Sequence, residues 1–360
     1  MQKQWFRAAQ FGGVLFLLAM VGCAAGPLAA GSAASPKVAT PLVASTYYSD
    51  YSEYYKVPWV GSPDFSDLTS TLKVNAEANG GTEASYTVDT GSVGMIVPAS
   101  EVPDLPSGTA GSITYSSSGL KLTGTWSTVT VSFPDAVNED GDNVPATATL
   151  PVLAVTEGTC LGTGVNSASC TGAIPHMLGI GFGRGNTLYK SPPYNPALNV
   201  TEMVAGTMRR GYLIKRAGLY LGLTAATVGD SFTTQQLTSA GTPVAGTHND
   251  WETPTGGFKI GTGTELTGSV LVDTGLRNMI VEDSSLPTSG SVTAGTSMTI
   301  YIGTHDYIIT VGGTGGATPT VVDYATPSNG TFVNTGLRAL YHYDVLYDAD
   351  SGLYGLWYIQ

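Results

Sequence analysis

The stretch Ser85-Tyr-Thr-Val-Asp-Thr-Gly-Ser-Val-Gly-Met-Ile-Val-Pro98 reads as an apolar strand, then Asp-Thr-Gly, then a second apolar strand. The chain says nearly the same thing again at Ser269-Val-Leu-Val-Asp-Thr-Gly-Leu-Arg-Asn-Met-Ile-Val281. A lone Asp-Thr-Gly carries little weight in a chain this rich in Thr and Gly, where roughly a few tenths of a copy arise by chance. Two copies in matching strand–turn–strand context, about half a chain apart, point instead to two related lobes. Each lobe contributes one carboxylate, Asp89 or Asp273, to a shared site. Gly91 permits a tight turn at its aspartate, and Thr90 offers a hydroxyl to pin it; Thr274 and Gly275 repeat the pattern.

The residues around these stretches favour sheet. Thr, Val, Tyr and Gly are abundant, tracts of Ala, Glu, Lys and Leu are missing, and only 12% of residues are charged. Leu72 to Glu77 alternates as a half-buried strand, Asn79-Gly-Gly81 is a hairpin turn, and Ala84 to Val88 returns toward Asp89. A second hairpin runs from Ser112 to Tyr115, turns at Ser116-Ser-Ser-Gly119, and returns from Gly124 to Ser132. Further strands are expected at 144–156, 177–182, 211–215, 219–223, 297–302, 307–311, 339–347 and 355–359. The best helix candidate spans Pro196 to about Met208, with Asn195 as its possible cap. The layout predicted is a leader at 1–22, a low-complexity tether at 23–66 and an N-terminal lobe at 67–190. A crossover with a short helix follows at 191–211, then a C-terminal lobe at 212–360. The Tyr-rich run Tyr47 to Tyr55 is expected to pack on the body, because aromatic residues are unusual in a pure spacer.

A formal net charge of −12, with no basic cluster outside the leader, argues against nucleic-acid binding. Lys3, Arg7 and the apolar residues 11–22 read as an export signal too short to span a bilayer. The run Ala-Met-Val-Gly-Cys23 resembles a bacterial lipoprotein signal, with Cys23 as the lipidated residue and the membrane as a partner. An ordinary secretory signal cleaved further downstream is the alternative. Cys160 and Cys170 sit in a Gly/Thr/Ser-rich loop, where one local disulfide is the simplest reading in an oxidising compartment. The scattered histidines and two remaining cysteines offer no usual metal-ligand spacing, so neither metal nor cofactor is expected.

From about Leu72 to the C-terminus the chain resembles the pepsin-like aspartic peptidases. Tyr86-Thr-Val-Asp-Thr-Gly-Ser92 is similar to that family's first active-site loop, and Met177-Leu-Gly-Ile-Gly to the strand that crosses behind it. The run from Phe332 to Asp348 is similar to its closing strands. In texture the chain looks most like the exported pepsin-like domains of mycobacterial PE/PGRS proteins. The resemblance implies an all-β, bilobal fold, two related β lobes with a central cleft and a few short helices, and with it a polypeptide substrate and a monomer. It also implies Tyr115 as the flap tyrosine, Ser92 as a hydrogen-bond partner of Asp89, and Thr90 and Thr274 as residues that interlock the two loops. Two features depart from the family pattern: Leu276 stands where Ser or Thr follows the second Asp-Thr-Gly, and the loop after Tyr115 is Ser-rich.

Two carboxylates in contact share one proton, so that one can accept a proton from water while the other donates to a peptide carbonyl. That chemistry makes an exported aspartic endopeptidase the leading expectation. A catalytically weak or inactive surface lipoprotein of the same fold, binding peptides or partner proteins, is the other. Ser92 can donate to Asp89 and Leu276 cannot donate to Asp273, so the shared proton is expected to favour Asp273.

Overall fold

A computed structural model describes residues 40–185, 191–241, 248–327 and 330–359. The leader and Cys23 lie outside the described residues. Two seven-stranded sheets and one eight-stranded sheet make up the body.

The first sheet builds the N-terminal lobe. Lys73–Ala78 points Val74, Ala76 and Ala78 into the core and its intervening residues outward. Asn79 and Gly80, both at positive φ, turn it back into Ala84–Asp89. The full order is Lys73–Ala78, Ala84–Asp89, Met177–Ile180, Val93–Pro98, Ala146–Cys160, Leu120–Phe133 and Thr109–Tyr115. A further pairing between Lys73–Ala78 and Leu120–Phe133 joins two distant members of that order. Met177–Ile180 runs between the two arms of the first Asp-Thr-Gly loop, parallel to one and antiparallel to the other. Gly179 lies opposite both Asp89 and Gly94, and any Cβ there would overlap the backbone of Val93.

The C-terminal lobe repeats this plan. Its sheet order is His305–Thr310, Ser297–Ile302, Thr255–Ile260, Leu266–Leu271, Phe332–Asn334, Met279–Glu282 and Val322–Tyr324. Phe332–Asn334 passes between the arms of the second loop as Met177–Ile180 does in the first.

The third sheet is antiparallel and draws on the whole chain: Thr40–Pro41, Thr233–Gln236, Leu353–Tyr358, Tyr343–Asp348, Gly211–Lys215, Gly218–Leu221, Tyr55–Val57 and Val137–Asn138. Residues 40–66, which the sequence places in the tether, are therefore part of the folded body. The tyrosines decide this. Tyr48 is fully buried and donates its hydroxyl to Asp348 at 3.1 Å. The Arg209 guanidinium covers the rings of Tyr47, Tyr48 and Tyr51 and pairs with Asp348 at 2.9 Å. Trp59 is buried too and donates to the carbonyl of Lys215 at 2.9 Å. Each such aromatic removes apolar surface from water and helps to hold a segment whose own regular structure is one short helix, Ala44–Tyr47, and two short strands. The range 212–360 likewise supplies this sheet as well as its own lobe.

Two local expectations change. The helix expected over 196–208 is a 3-10 turn, Pro196–Leu198, followed by a short α-helix, Thr201–Ala205. Asn195 caps the turn by accepting from Ala197 N–H, and its amide also donates to the carbonyls of Ile180 and Gly181. Asn199 bonds back to Pro192 and Asn195, which competes with helix continuation, and Gly206 in the left-handed region ends the second piece. The strand expected over 339–347 begins at Tyr343 instead, because Gly336–Tyr341 forms a 3-10 helix. Leu337 and Leu340, three residues apart, both point into the core, which is the spacing a 3-10 turn serves.

Candidate active site

The two Asp-Thr-Gly loops meet at the floor of a cleft of ≈ 950 Å³. Asp89 ends one strand and Asp273 follows another, and both are buried. The loops are locked by a reciprocal arrangement. Thr90 N–H donates to Thr274 Oγ1 at 3.1 Å, and Thr274 N–H donates to Thr90 Oγ1 at 3.0 Å. Each hydroxyl then donates to the opposite strand: Thr90 to Val272 O at 2.5 Å, Thr274 to Val88 O at 2.6 Å. The backbone N–H and the hydroxyl of both threonines are thus satisfied, as burial requires.

This lock brings the carboxyl groups within hydrogen-bonding reach of one another. Gly91 and Gly275 are what allow it. A Cβ on Gly91 would overlap the Asp273 carboxylate, and one on Gly275 would overlap that of Asp89. Each carboxylate accepts from its own loop: Asp89 Oδ1 from Gly91 N–H at 2.7 Å, Asp273 Oδ1 from Gly275 N–H at 2.9 Å.

The outer oxygens differ in where their donors come from. Ser92 donates to Asp89 Oδ2 at 2.5 Å. Leu276, at the matching place, lines the cleft with a side chain that has no donor. Its absence is made good by Asn334, whose Nδ2 donates to Asp273 Oδ2 at 2.6 Å. Leu276 indeed makes no side-chain bond to Asp273, but the donor from Asn334 removes the ground for placing the shared proton on Asp273. Burial, followed by the neighbouring Asp273 charge, raises the Asp89 carboxyl above the ordinary carboxylate range, against the pull of Ser92 and Gly91. With one backbone and one side-chain donor on each member, the proton affinity belongs to the pair.

The structure is similar to the crystal structure of an aspartic proteinase from Irpex lacteus, with a TM-score of 0.52 and 16% sequence identity, over 86% of this chain and 98% of that one. The fold is pepsin-like. No protein-family model matches the sequence, and neither does any curated protein.

In this pepsin-like fold Tyr115 ends the strand Thr109–Tyr115 at the rim of the cleft, half-buried against a cluster that includes Ile113 and Leu122. The turn beyond it, 116–119, does not stand alone. Cys160 and Cys170 are joined in a disulfide with Cα atoms 5.9 Å apart. The loop so closed places Asn166 N–H on Ser117 O at 2.7 Å, while Leu161 N–H donates to Gly119 O at 2.9 Å. Asn166 Oδ1 also lies 3.5 Å from Asn278 Nδ2 of the other lobe. The disulfide loop is therefore a brace for the hairpin tip, a role the spacing of two cysteines does not disclose.

Arg184 is a further residue outside the sequence reading. It lies in the wall of the cleft and donates to Thr253 Oγ1. Burial lowers the pKa of its guanidinium, and the charges of Asp273 and then Asp89 oppose that. An arginine stays charged in such a place, so a fixed positive charge stands beside the aspartates. Among the described residues no cluster of His, Cys, Asp and Glu is placed to hold a metal ion.

Proposed function

We propose that this chain is an exported aspartic endopeptidase. Its substrate is a polypeptide lying extended in the cleft, and Asp89 and Asp273 are the general acid and base. The observation that carries the reading is the contact between two buried carboxyls, each with its own set of donors, on the floor of an open cleft. Two such groups cannot both ionise cheaply, so between the two apparent pKa values of the pair they hold one proton between them. The ionised member takes a proton from a water molecule as that water attacks the peptide carbonyl. The protonated member gives its proton to the carbonyl oxygen, and a tetrahedral intermediate forms. Proton return to the amide nitrogen then releases the two peptides. Tyr115, at the hairpin end, covers the reacting bond and keeps bulk water out.

Export is part of the same reading, supported by the charged and apolar leader, with Cys23 as a lipid attachment point on the cell envelope. The enzyme works as a monomer, since one chain supplies both aspartates.

Incubation of the purified protein with denatured casein across acidic pH, with and without a statine-type inhibitor, tests the activity. Inhibitor-sensitive cleavage that Asp89→Asn abolishes is the expected result. Tight peptide binding with no cleavage at any pH would point instead to a peptide-binding module of the same fold. For the anchor, Cys23→Ser should move the protein out of the membrane fraction of a bacterial host, and unchanged attachment would count against lipidation.

A further inference from the structure

The two lobes carry the same parts with one exchange. Thr87 and Leu271 each stand two residues before an aspartate, and the crossing strands place Met177 opposite the first and Asn334 opposite the second. Met177 and Asn334 are therefore equivalent positions in the two lobes. Ser92 and Leu276 are equivalent as well, each being the residue after Asp-Thr-Gly. In the first lobe the loop position is polar and the strand position apolar. In the second lobe the two characters are swapped.

Asn334 is buried, and both ends of its amide are used. Oδ1 accepts from Gly336 N–H at 2.9 Å, which leaves Nδ2 to face Asp273 Oδ2 at 2.6 Å. Gly336 can present its N–H there because it adopts a positive φ of 60°. The orientation of the amide is thus set by the backbone and not by the carboxylate it serves.

We propose that Asn334 is the positioning residue of Asp273, supplying from the crossing strand the donor that Ser92 supplies to Asp89 from the loop, and that Leu276 and Asn334 form a compensating pair. The proposal deepens the peptidase reading but can be tested apart from it. Moving the donor to the strand frees position 276 for an apolar side chain on the cleft wall. Asp273 faces Asp89 from the other loop and Arg184 from the segment after Met177–Ile180, while Arg277, Glu282 and Arg338 line the same cleft further along. Those charges are unchanged by substitution at 276 or 334, so the comparison isolates the hydrogen bond.

The experiment is a carboxyl-¹³C NMR titration of aspartate-labelled protein, with the Asp89 and Asp273 signals assigned from Asp89→Asn and Asp273→Asn, run beside kcat and KM against pH. Asn334→Met, which copies the first lobe, should raise the apparent pKa of the pair by about one to two units and lower kcat by more than tenfold with KM little changed. Leu276→Thr alone should leave the titration near that of the wild type. Added to Asn334→Met, it should restore the titration and most of kcat. A titration unmoved by Asn334→Met, or a shift that Leu276→Thr does not reverse, overturns the proposal. Should Asn334→Met fail to fold, the wild type still decides: the Asn334 side-chain amide proton must shift with the same midpoint as the carboxyl signals, and indifference to it overturns the proposal. A wild type that shows all these titrations yet cleaves nothing defeats the peptidase reading and leaves the assignment of Asn334 standing.

Discussion

Thr90 and Thr274 exchange backbone-to-hydroxyl hydrogen bonds at 3.1 and 3.0 Å, and each passes its own proton to the strand that carries the other's aspartate. The lobes are thereby tied at the one place where their carboxylates must meet. Thr90→Val keeps the shape but leaves Thr274 N–H and Val272 O without partners. Each buried orphan costs about 1–3 kcal/mol, so urea unfolding should show a loss of at least about 2 kcal/mol. Thr90→Ser retains the hydroxyl and should recover most of it. Equal stability of the Val and wild-type proteins would mean that the lock contributes nothing.

Gly91 and Gly80 offer a contrast between two uses of glycine. Gly80 has a φ of +67° and open space around it, so Gly80→Ala should lower stability by about 1 kcal/mol and leave catalysis alone. Gly91 needs no positive φ, but its Cβ would strike Asp273. Gly91→Ala should therefore reduce kcat/KM on the order of 10²-fold through displacement of that carboxylate. Michaelis–Menten kinetics and thermal melts of both variants check the contrast. Similar activity in the two would remove the steric argument.

Three buried carboxyls, Asp89, Asp344 and Asp348, each contribute stability that acid preserves. Burial raises Asp89 and Asp348, and it lifts Asp344 to about 6 against the pull of Lys215 and Arg216. Between the unfolded value of about 3.9 and the raised folded one, the native state holds more protons than the unfolded state. The stability these carboxyls contribute is then fully present below about pH 4 and is lost as pH rises, for Asp344 through about 6. Asp344→Asn should raise Tm at pH 7 relative to the wild type and change it little at pH 4. An Asp344→Asn protein no more stable than the wild type at pH 7 would contradict the argument.

The Cys160–Cys170 disulfide closes a short loop, worth about 2–3 kcal/mol of stability in the chain-entropy picture. Its loop also holds the hairpin tip through Ser117 and Gly119. Replacing both cysteines by Ser should lower Tm and raise KM for a peptide substrate more than it lowers kcat, because the tip closes over substrate without carrying out the proton transfers. Unchanged KM in the double variant would show that the brace is not needed for binding.

The charges of Asp273 and then Asp89 favour the charged form of Arg184, so its guanidinium acts electrostatically on the pair. Arg184→Met should therefore raise both apparent pKa values of the activity profile, moving the acid and alkaline limbs of kcat/KM toward higher pH together. A shift of one limb only, or of neither, would mean that its charge is spent on Thr253 and the cleft wall.

The sequence by itself determined the local parts. The two Asp-Thr-Gly loops, the Asn79-Gly80 hairpin, the cysteine pair and the alternation of Val74, Ala76 and Ala78 each depend on the φ and ψ of a few neighbours or on the two-residue period of a strand. These constraints act within a few residues and are legible there. The repeat of the aspartate loops then fixed the two-lobed plan. What only the tertiary structure decided involves partners distant in the chain. Asn334 meets Asp273 from 61 residues away, and Tyr48 meets Asp348 from 300. Asn334-Thr-Gly336 does carry a faint signal, an asparagine where Met177-Leu-Gly179 has an apolar residue, but only the strand register turns it into a donor for Asp273. Whether a tyrosine is buried or a donor reaches a carboxylate depends on which surface the folded chain brings opposite it, and no local rule of backbone geometry contains that information.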